Sequence, residues 1–64
     1  MYTSNQALLH PADFDNAMYF GLPIKVIRQG EILKHGGQIE KHSHDAVKID
    51  GAYFLKWKCE FIVS

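Results

Sequence analysis

A histidine pair is the first feature of this sequence that could do chemistry. His42 and His44 are separated by one residue in "KHSHD", and Asp45 follows directly. Alternate side chains of an extended segment share a face, so two imidazoles and a carboxylate could hold Zn²⁺ or another divalent ion. Cys59, the single cysteine, precedes the last predicted strand, where burial is expected. We therefore expect no metal or other cofactor and keep His42, His44 and Asp45 only as a lesser metal candidate.

Lysines interleaved with aromatic residues near the end of the sequence form the second candidate. Tyrosine and tryptophan are favoured as hot spots of protein interfaces, because an apolar ring carries a polar tip. The same rings could stack on bases while ammonium groups meet phosphates. A third interpretation is structural, with the tryptophan covering one end of the fold and the lysines solvating it. The residues of this lysine–aromatic strip are Lys48, Tyr53, Lys56, Trp57 and Lys58.

Charge favours a protein partner over a nucleic acid. The chain has seven Lys and Arg residues and seven Asp and Glu residues, so its formal net charge is zero. Phosphate contacts supply most of the affinity of nucleic-acid binders, which are therefore usually basic. Residues 21–64 hold all seven basic and five acidic residues, a net charge of +2. Weak nucleic-acid binding thus stays open as the alternative.

Catalysis is disfavoured by the size of the chain and by its motifs. Lys56 and Lys58 flank Cys59 and would favour a thiolate. A domain of 64 residues, however, rarely forms a cleft large enough for a substrate. No serine stands in a nucleophile motif, and "GG" alone is not a phosphate-binding loop. We expect a non-enzymatic protein.

Length and composition predict one small cytoplasmic domain. The chain is 47% hydrophobic and 22% charged, which is typical of a globular protein. One cysteine permits no internal disulfide and fits a reducing compartment. The first residues lack a basic region, and their apolar run is too short for a signal sequence or a membrane span.

The sequence predicts an arm or a short helix over residues 1–21. Pro11 suits a first helical turn, Gly21 suits a helix end, and Phe14, Ala17 and Met18 form an apolar stripe. The segment carries more apolar surface than a free tail should show. We expect this surface to cover an open end of the fold; the alternative is a homodimer. The residues concerned are Leu8, Leu9, Phe14, Met18, Tyr19 and Phe20.

Residues 22–64 predict short strands. "PIKVIRQ" and "EILKH" are extended runs around Gly30, and "GGQIEKHSH" has the composition of a loop. "AVKI-DG-AYFL" is a hairpin signal, because Asp-Gly suits a two-residue turn. "KWKC" predicts one tight helical turn and "EFIVS" a closing strand.

The hairpin register predicts which side chains are buried. If the loop is the two residues Asp50-Gly51, Ile49 should lie opposite Ala52 and Val47 opposite Phe54, with all four facing the core. A three-residue loop with a bulge would change this pairing. Lys48 and Tyr53 should then share the exposed face. Phe61 and Val63 should point inward from the last strand.

This order of elements resembles the SH3-like barrels. "AYFLKWKCEFIV" is similar to their unit of aromatic strand, single 3₁₀ turn and final strand, and "VIRQGEILKH" resembles the strand–Gly–strand opening of KOW-type modules. "NAMYFGLP…GEILKH" with "AVKIDGAYF" is similar to small SH3-like proteins of Bacillus prophages. The resemblance implies a mostly β fold, a small SH3-like barrel of about five antiparallel strands, and a non-catalytic interaction role. A phage or prophage accessory factor is the biological setting it implies.

Overall fold

The computed structural model describes residues 5–64, which form one helix and six strands. The first four residues of the predicted arm lie outside the described part. The predicted mostly β fold is confirmed, with a short helix before the strands. The elements are α1 (Pro11–Phe20), β1 (Ile24–Arg28), β2 (Glu31–Gly37), β3 (Ile39–His42), β4 (Ala46–Ile49), β5 (Ala52–Leu55) and β6 (Glu60–Val63).

The predicted SH3-like barrel of about five strands is not closed. Six strands form two antiparallel sheets of three strands each, because the strands pair only within their own sheet. Sheet A has the order β2-β1-β6, and sheet B has the order β3-β4-β5. Gln38 alone separates β2 from β3, so one nearly continuous segment supplies an outer strand to each sheet. The two sheets are therefore joined at this corner as well as through the core.

The prediction that "GGQIEKHSH" forms a loop is wrong over most of this segment. β2 continues through both glycines, and Ile39–His42 forms β3, with Ile39 paired to Ile49. Gly36 has a φ of 84°, which glycine adopts readily, and the pairing of β1 with β2 shifts register at this end. The glycines therefore produce an irregular strand instead of ending it.

The hairpin prediction is confirmed in register and in turn. Ile49 pairs with Ala52, Lys48 with Tyr53 and Val47 with Phe54. Asp50 and Gly51 have φ values of 49° and 83°, and positive φ at both central residues is what a type I′ turn needs. Val47 and Ile49 are fully buried and Phe54 is half-buried. The prediction that Ala52 faces the core is wrong, because Ala52 lies next to the turn and is exposed.

The helix begins and ends as its sequence predicts. Pro11 occupies the first turn, and Gly21 ends the helix in the left-handed conformation with a φ of 62°. Asp13 strengthens the start, because its Oδ2 accepts hydrogen bonds of 2.9 Å from the backbone N–H groups of Leu9 and His10.

The arm before the helix lies along β6 at the edge of sheet A, where one isolated bridge and several backbone hydrogen bonds hold it. Ala7 bridges Ile62 of β6, and the N–H of Leu8 donates to the carbonyl of Phe61 at 2.8 Å. The predicted cover over the fold is confirmed for Leu8 and Phe14, which are buried. It is wrong for Leu9, Tyr19 and Phe20, which are exposed because they point away from the core on the arm and on α1.

One core joins every layer of the molecule. Its buried side chains come from the arm, α1, β1, β3, β4 and β6. Cys59, for which burial was predicted, packs against this core but is only half-buried. Each fully buried aliphatic side chain contributes about 1.5–3 kcal/mol relative to an exposed one. The core residues are Leu8, Phe14, Ala17, Ile24, Val26, Ile39, Val47, Ile49, Phe61 and Val63.

Candidate interaction surface

The outer face of sheet B presents a row of two lysines and one tyrosine. Lys41 pairs with Lys48 across β3 and β4, and Lys48 pairs with Tyr53 across β4 and β5. The Nζ atoms of Lys48 and Lys41 lie 5.6 and 5.9 Å from the centre of the Tyr53 ring. Tyr53 is 59% exposed. We call Lys41, Lys48 and Tyr53 the sheet B row.

The turn after β5 presents the only tryptophan of the chain. The carbonyl of Leu55 accepts hydrogen bonds of 3.1 Å from the N–H groups of Lys58 and Cys59, which confirms the single tight turn predicted for "KWKC". Trp57 is 71% exposed at this turn. Lys58 places its Nζ 5.0 Å from the centre of the Trp57 ring, within range of a cation–π contact.

An apolar groove runs between the start of α1 and this turn. It has a volume of ≈ 540 Å³, and we call it the Trp57 groove. Trp57 and Leu9 are exposed walls of the groove, and Phe14 is a buried one. Its lining residues are Leu9, Pro11, Phe14, Ser43, His44, Lys56 and Trp57.

Lys56 differs from the other members of the lysine–aromatic strip because it points inward. Its Nζ lies 4.2 Å from the centre of the Phe14 ring and 3.1 Å from Nδ1 of His42. Burial lowers the pKa of Lys56 below its ordinary value of 10.5, while the charges of Asp15 and Asp45 partly oppose that shift. Lys56 therefore joins the turn to the underside of α1 and lines the Trp57 groove, instead of standing on the outer surface with the other lysines of the strip.

His42 connects the helix to sheet B. Its Nε2 lies 2.6 Å from Oδ1 of Asp15 on α1, and its side chain is 11% exposed. Because Lys56 can only donate, Nδ1 of His42 accepts, and Nε2 carries the hydrogen that is donated to Asp15. The Phe14 ring lies 5.6 Å from the imidazole, centre to centre. Both imidazole nitrogens are thus occupied by protein groups.

The lesser metal candidate does not assemble. His42 points toward α1, whereas the His44 side chain is 98% exposed and lies 4.0 Å from Asp45. The segment bends after β3, so the two imidazoles do not share a face. No group of three or more metal-ligating side chains comes together within residues 5–64.

Alternation along the strands could have located the inward side chains. In β5 Phe54 pairs with the buried Val47 and is half-buried, so continuing the period of two places Lys56 inward as well. The same rule places His42 inward, because it pairs with the buried Val47. No local pattern reveals that Asp15 is the partner of His42 and Lys56, because their contact depends on where α1 lies against sheet B.

Comparison with known proteins identifies no relative of this chain. No family model, curated protein or solved structure matches the chain. Across the described part of the chain, α1 is the one helix, and its ten residues are too few to cross a bilayer. The surface itself is therefore the basis for a functional proposal.

Proposed function

We propose that this chain is a non-enzymatic interaction module that binds a protein partner through Trp57 and Tyr53. The observation that carries the proposal is the exposure of both rings on hydrogen-bonded elements, each with a lysine ammonium beside it. Neither ring belongs to the core. The fold therefore presents two large amphipathic side chains that its own packing does not use.

Rings held in this way suit the centre of a protein interface. Tyrosine and tryptophan bury large areas and lose little conformational freedom on binding, because each has two side-chain torsions. Trp57 lies on a one-turn segment held by two hydrogen bonds, and the paired strand β4 holds Tyr53. The Trp57 groove beside the first ring gives an apolar side chain of the partner a place to dock.

A weak nucleic-acid-binding role is the second candidate, and one observation favours it. Lysine ammonium groups lie next to both exposed rings, as an aromatic platform for bases would require. The zero net charge of the chain favours a protein partner, because the affinity of a protein for a polyanion depends mostly on excess positive charge on the protein.

The biological setting is proposed from the resemblance described above. A small SH3-like protein of prophage type would act in the cytoplasm as an accessory factor that engages a host protein. One half-buried free cysteine is compatible with that compartment.

Affinity capture with matched variants tests the proposed function. The bait is the full chain, exposed to lysate of the source cells, with captured proteins identified by mass spectrometry. We expect Tyr53→Ala with Trp57→Ala to lose the partner that the unaltered chain captures. Tyr19→Ala is the matched control, since Tyr19 is 83% exposed on α1 and outside the proposed surface. Circular dichroism verifies that each variant is folded.

Two results would count against the proposal. Undiminished capture by the double variant would show that the two rings are not the binding surface. A shift of single-stranded oligonucleotides at low salt that fades as salt rises, with no captured protein, would instead support the nucleic-acid role.

A further inference from the structure

Lys41 and Lys48 are two like charges placed directly opposite each other on neighbouring strands. Such a pair destabilises a sheet, because the ammonium groups repel across a short distance. Elsewhere the fold pairs a strand lysine with an acid, as in the 2.7 Å contact between Lys34 and Asp50. Among residues 5–64, neither Lys41 nor Lys48 forms an ion pair.

The Tyr53 ring relieves only part of this repulsion. Both ammonium groups lie between 5 and 6 Å from the ring centre, where the negative face of the ring attracts a cation. At an exposed site each such contact contributes about 0.5–1 kcal/mol. A ring has no net charge, so the two positive charges still lack an acidic partner in the described part of the chain.

A hollow beside the sheet B row provides space for an anionic group. It has a volume of ≈ 260 Å³ and is lined by Lys41, His42, Ser43, Ala46 and Tyr53. The Ser43 hydroxyl oxygen accepts a hydrogen bond from the Ala46 N–H at 3.3 Å. The hydroxyl hydrogen therefore remains a donor for a bound carboxylate.

We infer that the sheet B row binds an acidic segment of a protein partner, with carboxylates at Lys41 and Lys48 and an apolar side chain on the Tyr53 ring. This inference rests on the proposed function, because it names the chemistry of the partner at the Tyr53 end of the surface. Lys41, which the lysine–aromatic strip did not include, becomes a binding residue.

The surrounding charges favour a short acidic segment over a nucleic acid. Glu40 precedes Lys41 in β3, and Asp45 and Asp50 stand at the two ends of β4. A phosphodiester backbone carries a charge at every nucleotide and would meet repulsion on leaving the row. A peptide can place its carboxylates at the two lysines and uncharged residues elsewhere.

Titration with a defined peptide tests the inference. The probe is a blocked pentapeptide with a phenylalanine between two glutamates and a serine at each end, and its comparison peptide has glutamines in place of the glutamates. Binding is followed by amide chemical shifts of the ¹⁵N-labelled full chain. We expect the acidic peptide to shift the signals of β3, β4 and Tyr53, and the glutamine peptide to bind at least about tenfold more weakly.

Paired charge removals locate the site. Lys41→Gln with Lys48→Gln should weaken binding of the acidic peptide about tenfold, the loss expected for two exposed ion pairs. Lys25→Gln with Arg28→Gln removes the same charge from β1 of sheet A and should leave the affinity within about twofold.

Three outcomes would overturn the inference. One is equal weakening by the two double variants, which would indicate only long-range attraction. Another is failure of the acidic peptide to bind the sheet B row, whether it binds only the Trp57 groove or does not bind at all. The third is tighter binding of a short oligothymidylate than of the acidic peptide at the same salt concentration. The proposed function is tested separately by capture with the Tyr53 and Trp57 variants, so either idea can fail alone.

Discussion

At the scale of single residues, the half-buried Lys56 shows that the lysine–aromatic strip is not one continuous exposed surface. Its ammonium group contacts His42 and the Phe14 ring, and the carboxylates of Asp15 and Asp45 act on it from α1 and from the segment before β4. Desolvation outweighs these carboxylates, so folding lowers the pKa of Lys56 from 10.5. Folding therefore favours the neutral amine relative to the unfolded chain.

This shift predicts how the stability contribution of Lys56 depends on pH. Below the folded pKa both states hold the proton, and the folded state bears the full cost of the buried charge. Between the folded pKa and 10.5 the unfolded state binds more protons, so the free energy of unfolding rises with pH. We expect wild type to gain stability relative to Lys56→Met as pH approaches 10.5, measured by urea unfolding. A constant or falling difference would contradict the lowered pKa.

At the scale of elements, the arm and the turn after β5 are the two segments that connect structure to the proposed surface. The arm pairs with β6, burying Leu8 and leaving the next residue, Leu9, as a wall of the Trp57 groove. The turn likewise places the half-buried Lys56 against the Phe14 ring and leaves Trp57 exposed. In each segment, therefore, one of two neighbouring side chains packs within the fold and the other belongs to the proposed binding surface.

The adjacent leucines provide a matched pair of variants. Leu8 is 5% exposed, so Leu8→Ala should lower the free energy of unfolding by about 2–5 kcal/mol through lost burial and a cavity. Leu9 is 75% exposed, and Leu9→Ala should change it by less than about 0.5 kcal/mol. Urea unfolding followed by circular dichroism measures both. Similar losses for the two variants would show that the arm does not pack against β6 as described.

At the scale of the whole molecule, one core joins two small sheets and a helix. Neither sheet has enough buried surface to be stable alone, since three short strands need a covered apolar face. Val26 of sheet A and Val47 of sheet B belong to the same buried cluster. The domain should therefore unfold cooperatively.

Cooperative unfolding can be tested by following one buried residue in each sheet. We expect the amide signals of Val26 and Val47 to disappear at the same urea midpoint, because loss of either sheet exposes the core of the other. Mutants of the exposed Tyr53 and Trp57 should keep that common midpoint. Different midpoints for the two valines would indicate two independent units.

The sequence by itself determined the features that depend on local chemistry. Pro11 and Gly21 delimit the helix, Asp50-Gly51 selects the hairpin turn, and alternation from that turn places Lys48 beside Tyr53. These features were predictable because backbone sterics and the two-residue period of a strand act over a few positions. The loop prediction for residues 36–44 failed because glycine composition does not show that a long-range partner, Ile49, holds Ile39 in a strand.

Only the tertiary structure decided which separated side chains meet. Asp15, His42 and Lys56 are far apart in the chain, and their contact depends on how α1 lies against sheet B. The same packing took His42 out of the metal candidate and Lys56 out of the open surface, and strand pairing added Lys41 to the sheet B row. Composition and spacing restrict the side chains available for binding, but burial and register, which act over the whole fold, select the ones that are presented.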